Sequence, residues 1–534
     1  MICNCSTRQV ACLVMLSVAG LYSMTGCADR NYKREADEQA YGIIDQKWNE
    51  DFGAKANYKV SDVAPSPNDI QIAKDVAIPD VLTLPQAVAL ATAHNREYQS
   101  RREELFIRAL DLRLTRHEFE TQFFGGFSGG YNADRNDEAV GAEANIGFRR
   151  LLAGGTRIST EIAGAWVEIL TGNLRSGLAS ILSTTITQPL LRGSERKIVV
   201  ENLTQAERDT LYQVRSFNRF RKTFVVSVIA QYYKVLQRRE EAKNARTNYI
   251  TLAWVSERVE KLANAGWVPL LELDEARQKK LQASNIYSQA QKKYQQALDE
   301  FKITLSLPTA KELQLDEKEF EALRAAGMSE PDFSQEQVTE AALVTRLDLA
   351  NGADAVIDAQ RKVFVATDSL RADASLIGTV GAISARRGNR QTLGWFREEY
   401  GVGLELDLPL DRVPEQNVYR KSLIMLNQRQ REYEQASDVV TLEVRQAHRD
   451  LSEAAERYKV LSEALELAQQ RFNRTFLLLQ YGKASSRRVL QAQGDLFDAQ
   501  NDAAQALVDY TLATLNFYRD TGVLRVRPDG MWEL

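Results

Sequence analysis

The chain has four cysteines, Cys3, Cys5, Cys12 and Cys27, and all of them lie within the first 27 of its 534 residues. The body of the protein therefore has neither a disulfide framework nor a cysteine-built metal site. Histidine is almost missing: His94, His117 and His448 fall on separate segments, with no His-Glu-x-x-His pair to hold a catalytic zinc. No phosphate-binding glycine loop is present, and the glycine-rich stretch Phe124-Gly125-Gly126-Phe127 fits a strand better. These absences argue against an enzyme and call for no cofactor. No apolar run of about 18 residues lies beyond the N-terminus, which argues against a transmembrane helix. A formal net charge of -4 leaves no basic footprint for nucleic acid. Proline is scarce, 11 in all, and falls mostly at segment junctions, as long helices require.

What the chain does have is one heptad pattern written twice, 216 positions apart. Leu273, Ala276, Lys280, Ala283, Tyr287, Ala290, Tyr294, Ala297 and Phe301 step by alternating threes and fours. Val489, Ala492, Leu496, Ala499, Ala503, Ala506, Tyr510, Ala513 and Phe517 step in the same way, and six of the nine pairs are identical. Arg258/Arg474 and Gly266/Gly482 match at the same offset. A period of 3.5 means a helix coiled on a neighbour. A duplicated one means two equivalent helical hairpins in one chain.

Arg8 and the apolar stretch from Ala11 to Leu21 have the make-up of a signal peptide, residues 1–26. Met24-Thr25-Gly26-Cys27 resembles the bacterial lipobox, which implies cleavage before Cys27 and its modification by lipid, palmitate included. The other reading is an ordinary signal peptide beside a chance cysteine. Ala28, rather than Asp, follows the cysteine. By resemblance to bacterial lipoprotein sorting this favours the outer membrane. Residues 27–82, with Pro65, Pro67 and Pro79, read as an extended lead with at most short helices.

A helix opens at Thr83-Leu84-Pro85 and runs to about His117. From 119 to 190 the period changes to two. Phe123, Phe127 and Tyr131 line one face, and Gln122 and Ser128 the other. Ala142, Ala144, Ile146 and Phe148 alternate with Glu143, Asn145, Gly147 and Arg149. Ile158, Thr160, Ile162 and Trp166 alternate with Ser159 and Glu161, and a fourth segment runs from about Ala179 to Gln188. A helix from about Glu195 to Asn264, a hinge at Gly266 and a return helix to about Ser306 follow. A polar connector, 308–334, leads to the second repeat, 335–524, and a short tail, 525–534, ends the chain. That repeat has a helix to about Leu370, strands at about 374–385 and 396–408, a helix to Gln480, a hinge at Gly482 and a return helix ending near Thr521.

A helix of about 66 residues spans about 100 Å. The strands have the length and two-faced period of membrane β-strands. Six cannot close a membrane barrel, whose minimum is about eight, and an open edge in lipid leaves backbone groups unpaired. If the strands are in the membrane, several chains share one barrel. The competing reading is a soluble sandwich.

The duplicated order of helix, strands, long helix, glycine hinge and return helix resembles the TolC-like outer membrane factors over roughly residues 83–524. The best local matches are Gln188-Pro189-Leu190-Leu191-Arg192-Gly193, Leu408-Pro409-Leu410-Asp411-Arg412, and the hinge pattern Arg258…Gly266…Glu272…Glu275-Ala276-Arg277 with Arg474…Gly482. The resemblance implies a mainly α fold with membrane β. Long coiled-coil hairpins form an α-barrel, and strands are shared in a trimeric transmembrane β-barrel. It implies a lipid-anchored homotrimer in the outer membrane that extends into the periplasm. Its partners would be a periplasmic adaptor, or membrane fusion protein, and an inner-membrane pump. The trimer would serve as the passive exit duct of a tripartite efflux or type I secretion system. A periplasm-spanning structural or adhesive lipoprotein without channel activity is the alternative.

Two departures stand out. The family has four strands per chain, and here there are six. Either the hairpin 142–170 is an extracellular addition or the barrel is larger. The family's second tip commonly carries Asp at the sixth and ninth positions after its glycine, where this chain has Arg488 and Gln491, with Arg487 beside them. The first tip keeps Glu272 and Glu275. Pairing of Arg487 or Arg488 with Glu272 or Glu275 on adjacent hairpins would latch the periplasmic gate; solvated surface charges are the other reading. Gly266 and Gly482 end helices in a left-handed conformation. Trp267-Val268-Pro269-Leu270, with Lys483 on the second tip, is the candidate adaptor-docking surface, against simple hairpin packing.

Overall fold

The computed structural model describes residues 29–49, 52, 55, 58–60, 81–133, 138–169, 175–327, 333–385, 395–408, 410–527 and 532–533. The signal segment, Cys27 and Pro409 lie outside the described residues.

The chain opens with α1 (Asp29–Lys47), β1 (Val81–Leu82), α2 (Leu84–His94) and α3 (Arg96–His117). Four strands follow: β2 (Gln122–Ala133), β3 (Glu138–Leu151), β4 (Arg157–Ile169) and β5 (Arg175–Pro189). Then come α4 (Arg196–Val199), the long α5 (Glu201–Asn264), its return helix α6 (Leu270–Thr304), β6 (Gln314–Leu315) and α7 (Lys318–Ala326). The second repeat has α8 (Gln335–Thr345), α9 (Leu347–Asp368), β7 (Asp373–Ala385), β8 (Trp395–Asp407), the long α10 (Val413–Gln480) and its return helix α11 (Ser486–Asp520). β9 (Arg525–Val526) and β10 (Trp532–Glu533) pair at the end. At about 1.5 Å per residue, α5 with 64 residues is about 96 Å long and α10 with 68 is about 102 Å.

Two compact units emerge. One comprises Met1–Trp48, Glu104–Val214 and Gln360–Ile424. Its centre is a single antiparallel sheet in the order β2-β3-β4-β5-β7-β8. The two repeats meet inside that sheet where β5 pairs with β7, from Ala179↔Ala385 to Pro189↔Ser375. At the end where strands join helices, Leu152 N–H donates to Thr156 O at 2.9 Å and closes the turn between β3 and β4. α1 belongs to this unit. At 19 residues it is longer than the short helices expected within the extended lead 27–82: Ala40, Ile43 and Ile44 form a buried stripe, and Tyr41 packs on Phe106, ring centroids 5.2 Å apart. That stripe has helical spacing, but it is too short to be decisive without the helix it packs on.

The other unit comprises Asn49–Glu103, Arg215–Ala359 and Met425–Leu534 and is helical. Every residue of both nine-membered heptad seams is buried or half-buried, and the return helices α6 and α11 lie against each other. One core cluster joins Val440, Val444, Ala447 and Leu451 of α10 to Tyr510 and Phe517 of α11. A second joins Leu252, Val255 and Val259 of α5 to Leu273 and Ala276 of α6 and to Leu479, Val489 and Leu490 of the second hairpin. The duplication reaches individual ring contacts. Tyr232 meets Phe301 at 6.0 Å, and their counterparts 216 positions on, His448 and Phe517, meet at 6.2 Å. The connector 308–334 is less irregular than its composition suggests. It contains α7, and β6 pairs parallel with β1 through Val81↔Gln314 and Leu82↔Leu315.

Candidate functional site

The strand-rich unit carries a surface with two chemically opposite faces. Strand register places Phe123 beside Phe148, Ile146 beside Ile162, Ile162 beside Leu182, Ile186 beside Gly378 and Leu376 beside Leu404. These residues, with Phe127, Val380, Tyr400 and Val402, stand on one face. Their exposure is high where burial would be expected of a soluble core: Phe123 79%, Ile146 65%, Val402 85%. The opposite face is mainly polar: it carries Gln122, Arg149, Ser159, Thr185 and Thr379 along one row and Glu161, Ser183 and Glu399 along another, with Val167 and Ile181 as exposed apolar exceptions. There Asn145 donates to Glu161 at 2.8 Å and Arg149 to Gln122 at 2.8 Å. The face assignments read from the alternation agree with this register wherever side chains are described. A broad apolar face left uncovered beside a hydrogen-bonded polar one is what a sheet with lipid on one side and water on the other requires. Among the described residues no helix is long and apolar enough to cross a membrane.

The helical unit carries the hairpin tips. Both α5 and α10 end in the same six-residue cap. Trp267 N–H donates to Leu262 O at 2.9 Å and Lys483 N–H to Leu478 O at 2.8 Å. Gly266 and Gly482 sit at φ 75° and 67°, which a side chain would strain. Pro269 and Ser485, again 216 positions apart, are the extended N-caps of the return helices. Beyond this shared backbone the tips differ in chemistry. In the first, Trp267 is 81% exposed, Leu270 71% and Leu271 75%, whereas Val268 packs against the core beneath. In the second, Gly482, Lys483, Arg487, Arg488 and Gln491 are exposed.

The structure brings four of the charged and polar tip residues together. Arg487 Nε lies 3.2 Å from Glu275 Oε2, and Ser486 Oγ donates to Glu272 Oε2 at 2.5 Å. Arg488 and Gln491 are exposed, and among the described residues Arg488 makes no ion pair. Ser486 was not singled out in the sequence; its signal is that it follows the N-cap Ser485 and starts the return helix. Arg258 also reaches across, its guanidinium donating to Leu479 O at 3.3 Å and lying over the Trp254 ring at 5.5 Å. Among the described residues no cluster of His, Cys, Asp or Glu could hold a metal ion.

Comparison with known proteins agrees with this geometry. Residues 338–523 match the family model for outer membrane efflux proteins. The chain is similar in structure to the open-state outer membrane channel MtrE of Neisseria gonorrhoeae, with 14% identity, a TM-score of 0.61, and coverage of 84% of this chain and 90% of that one. It is similar to the Campylobacter jejuni outer membrane channel CmeC at 15% identity and a TM-score of 0.58, covering 82% and 85% of the two chains. It is also similar to the outer membrane protein VceC of Vibrio cholerae at 13% identity and a TM-score of 0.58, covering 82% and 96%. No curated protein sequence matches the chain. The TolC-like resemblance read in the sequence is borne out, and the fold is that of these channels.

Proposed function

We propose that three copies of this chain form a passive exit duct through the outer membrane, working with a periplasmic adaptor and an inner-membrane pump in efflux or type I secretion. The observation that carries this is the two-faced sheet. Its apolar face is exposed in the single chain, and its six strands are too few to close alone. Burying that face in lipid and completing the ring with further copies removes both problems at once. The helical unit supports assembly independently. Met425, Val439, Val460 and Leu467 of α10 are exposed apolar residues separated by multiples of seven, on a stripe they share with Glu432, Gln446 and Glu453, a mixed face that a neighbouring copy could cover in part. The lipoprotein tether without a channel accounts for a coiled coil but gives the exposed sheet face no role.

Lipidation of Cys27 belongs to the same reading: the acyl chains would fix the N-terminus in the outer membrane while the strands span it. One chain alone anchors weakly, so the barrel rather than the lipid would hold the protein in place. The protein would supply no energy, since nothing in its sequence resembles a nucleotide site.

Reconstitution in planar bilayers with electron microscopy of the same preparation tests the duct. A hollow threefold particle with stepwise, voltage-resolved conductance is the expected result. A solid or monomeric particle with no conductance would leave the tether.

A further inference from the structure

The sheet has two free edges, the outer sides of β2 and β8. Among the described residues no further strand lies beside either. Resting on the duct reading, we propose that each chain gives all six strands to the shared barrel. The β8 edge of one copy pairs with the β2 edge of the next, so that three copies close a ring of eighteen strands rather than twelve.

The β3–β4 hairpin decides between the two counts, because it could instead be a flap standing outside the barrel. It is laddered without interruption on both sides: β2 to β3 from Gln122↔Arg149 to Ala133↔Glu138, and β4 to β5 from Arg157↔Thr187 to Ile169↔Arg175. Its side chains follow the same division as the rest of the sheet. Ile146 and Ile162 oppose each other on the apolar face and remain 65% and 45% exposed. Asn145 and Glu161 are hydrogen-bonded on the polar face. A flap in water would gain nothing from an apolar face in register with its neighbours, whereas a membrane strand requires it.

The occupant of the free edges is a second copy of this chain for three reasons. Unpaired backbone groups at an edge are not tolerated in lipid, and six strands are below the smallest closed membrane barrel. In an antiparallel meander of even strand number, β2 and β8 run in opposite directions, so β8 beside a neighbour's β2 continues the alternation. The pairing also extends the apolar band, setting Tyr400, Val402 and Leu404 of one chain alongside Phe123, Phe127 and Tyr131 of the next. Since barrel diameter grows about linearly with strand number, the ring is about 1.5 times as wide as one of twelve strands. It is of the size that leaves an aqueous channel rather than a plug of side chains. Glu143, Glu161, Glu399 and Glu405, against Arg149 and Arg157, face that lumen.

The test is electron microscopy of the full-length mature protein, averaged without imposed symmetry, beside a variant in which residues 135–173 are replaced by a two-residue turn joining β2 to β5. The expected result is three copies with eighteen strands for the intact chain, and a barrel about one third narrower for the variant. Three copies with twelve strands, and a variant barrel of unchanged diameter, overturn the inference but leave the duct. A particle that is neither threefold nor hollow overturns the duct reading, and this inference with it. Should the variant fail to assemble, the strand count in the intact map decides alone.

Discussion

Arg487 lies across the hairpin tips from Glu275, its Nε 3.2 Å and 3.3 Å from the two carboxylate oxygens. The two residues belong to different repeats, so the pair joins the second return helix to the first. Beside it Ser486 holds Glu272. If these contacts latch the periplasmic end, removing them should open it. Arg487 is 71% exposed, so each pair is worth about 0–1 kcal/mol. In the proposed trimer, three such pairs at about 0.5 kcal/mol each would shift the closed-to-open ratio roughly tenfold. We expect Arg487→Ala, and more so Arg487→Ala with Arg488→Ala, to raise single-channel open probability by about that factor. Uptake of a large hydrophilic antibiotic by cells should rise with it. Unchanged conductance and uptake would reduce the pair to surface charge.

Helix ends also repeat, and one of them is imperfect. Ser306 and Gly522, 216 positions apart, follow α6 and α11 with φ 56° and 79°, and Ser306 is the one non-glycine with positive φ among the described residues. A side chain in that region costs about 1–2 kcal/mol. Ser306→Gly should therefore raise stability by about 1 kcal/mol, less than the full strain because glycine also loosens the unfolded chain. Gly522→Ala should do the opposite by about 2 kcal/mol or more, since its Cβ would fall 2.7 Å from Thr345 Oγ1 as well as being strained. Denaturant midpoints of the purified variants measure both.

These helix ends show what the sequence makes legible and what it does not. The two seams, the glycine hinges and the strand faces are local patterns with a fixed period, and the structure follows them closely. Breaks that depend on a distant partner are harder to see. α2 and α3 were expected as one helix, but Asn95 interrupts them: its Oδ1 accepts from Tyr98 N–H at 3.1 Å while its amide donates to Thr304 O at 2.9 Å. The equivalent break between α8 and α9 falls at Arg346, which is buried and paired with Asp348 at 2.7 Å and with Glu443. Only the first has a local signal, an N-cap asparagine within a helical pattern. At the tips, the charges were visible as residue types, but which acid meets which partner depends on how the hairpins are staggered, and no spacing within either repeat encodes that.

Lys222 gives the helical unit a pH dependence. It donates to Gly522 O at 2.9 Å. Burial, and after it the nearby Arg525, Arg219 and Arg221, lower its ammonium from 10.5 to about 8. Between these values the unfolded chain holds a proton that the folded one has released, so stability rises with pH across about 8 to 10.5. Below 8 the full cost of the buried charge, about 3 kcal/mol, is present. The stability of the wild type relative to Lys222→Met should therefore climb by up to that amount between pH 8 and 10.5. Both chains share every other titration, so the difference isolates Lys222. A difference that stays flat across this range would mean the ammonium is solvated.

The sheet faces make a positional prediction. Ile162 lies on the apolar face between Ile146 and Leu182, and Ser183, opposite Glu161, lies on the polar face. An arginine facing lipid near the bilayer midplane costs about 2–4 kcal/mol. Ile162→Arg should lower the stability of the membrane-inserted protein by about that amount, while Ser183→Arg should stay within about 1 kcal/mol of wild type. Unfolding titrations in lipid vesicles distinguish the two. Equal costs at both positions would mean that the two faces meet the same surroundings, and the lipid-facing assignment would fall.

The two tips share a backbone cap, and their different side chains predict different roles in docking. Trp267, Leu270 and Leu271 on the first tip are its most exposed apolar residues, whereas the second tip presents Tyr481 with Lys483, Arg487 and Arg488, and the less exposed Leu477 and Leu478 in the last turn of α10. Apolar anchors at the centre of an interface typically cost at least about 2 kcal/mol on truncation, and charged residues at its rim act mainly through association rate and salt dependence. For a periplasmic adaptor that grips both tips, Trp267→Ala should weaken binding about thirtyfold with the salt dependence unchanged. Lys483→Ala should weaken it by only a few-fold and flatten the salt dependence. Titrating the adaptor onto detergent-purified variants at two ionic strengths reads both effects. Because Trp267 is 81% exposed while its neighbour Val268 packs inward, its loss should leave the hairpin folded. If Trp267→Ala binds as well as wild type, the adaptor does not use the first tip, and the exposed apolar residues there need another partner.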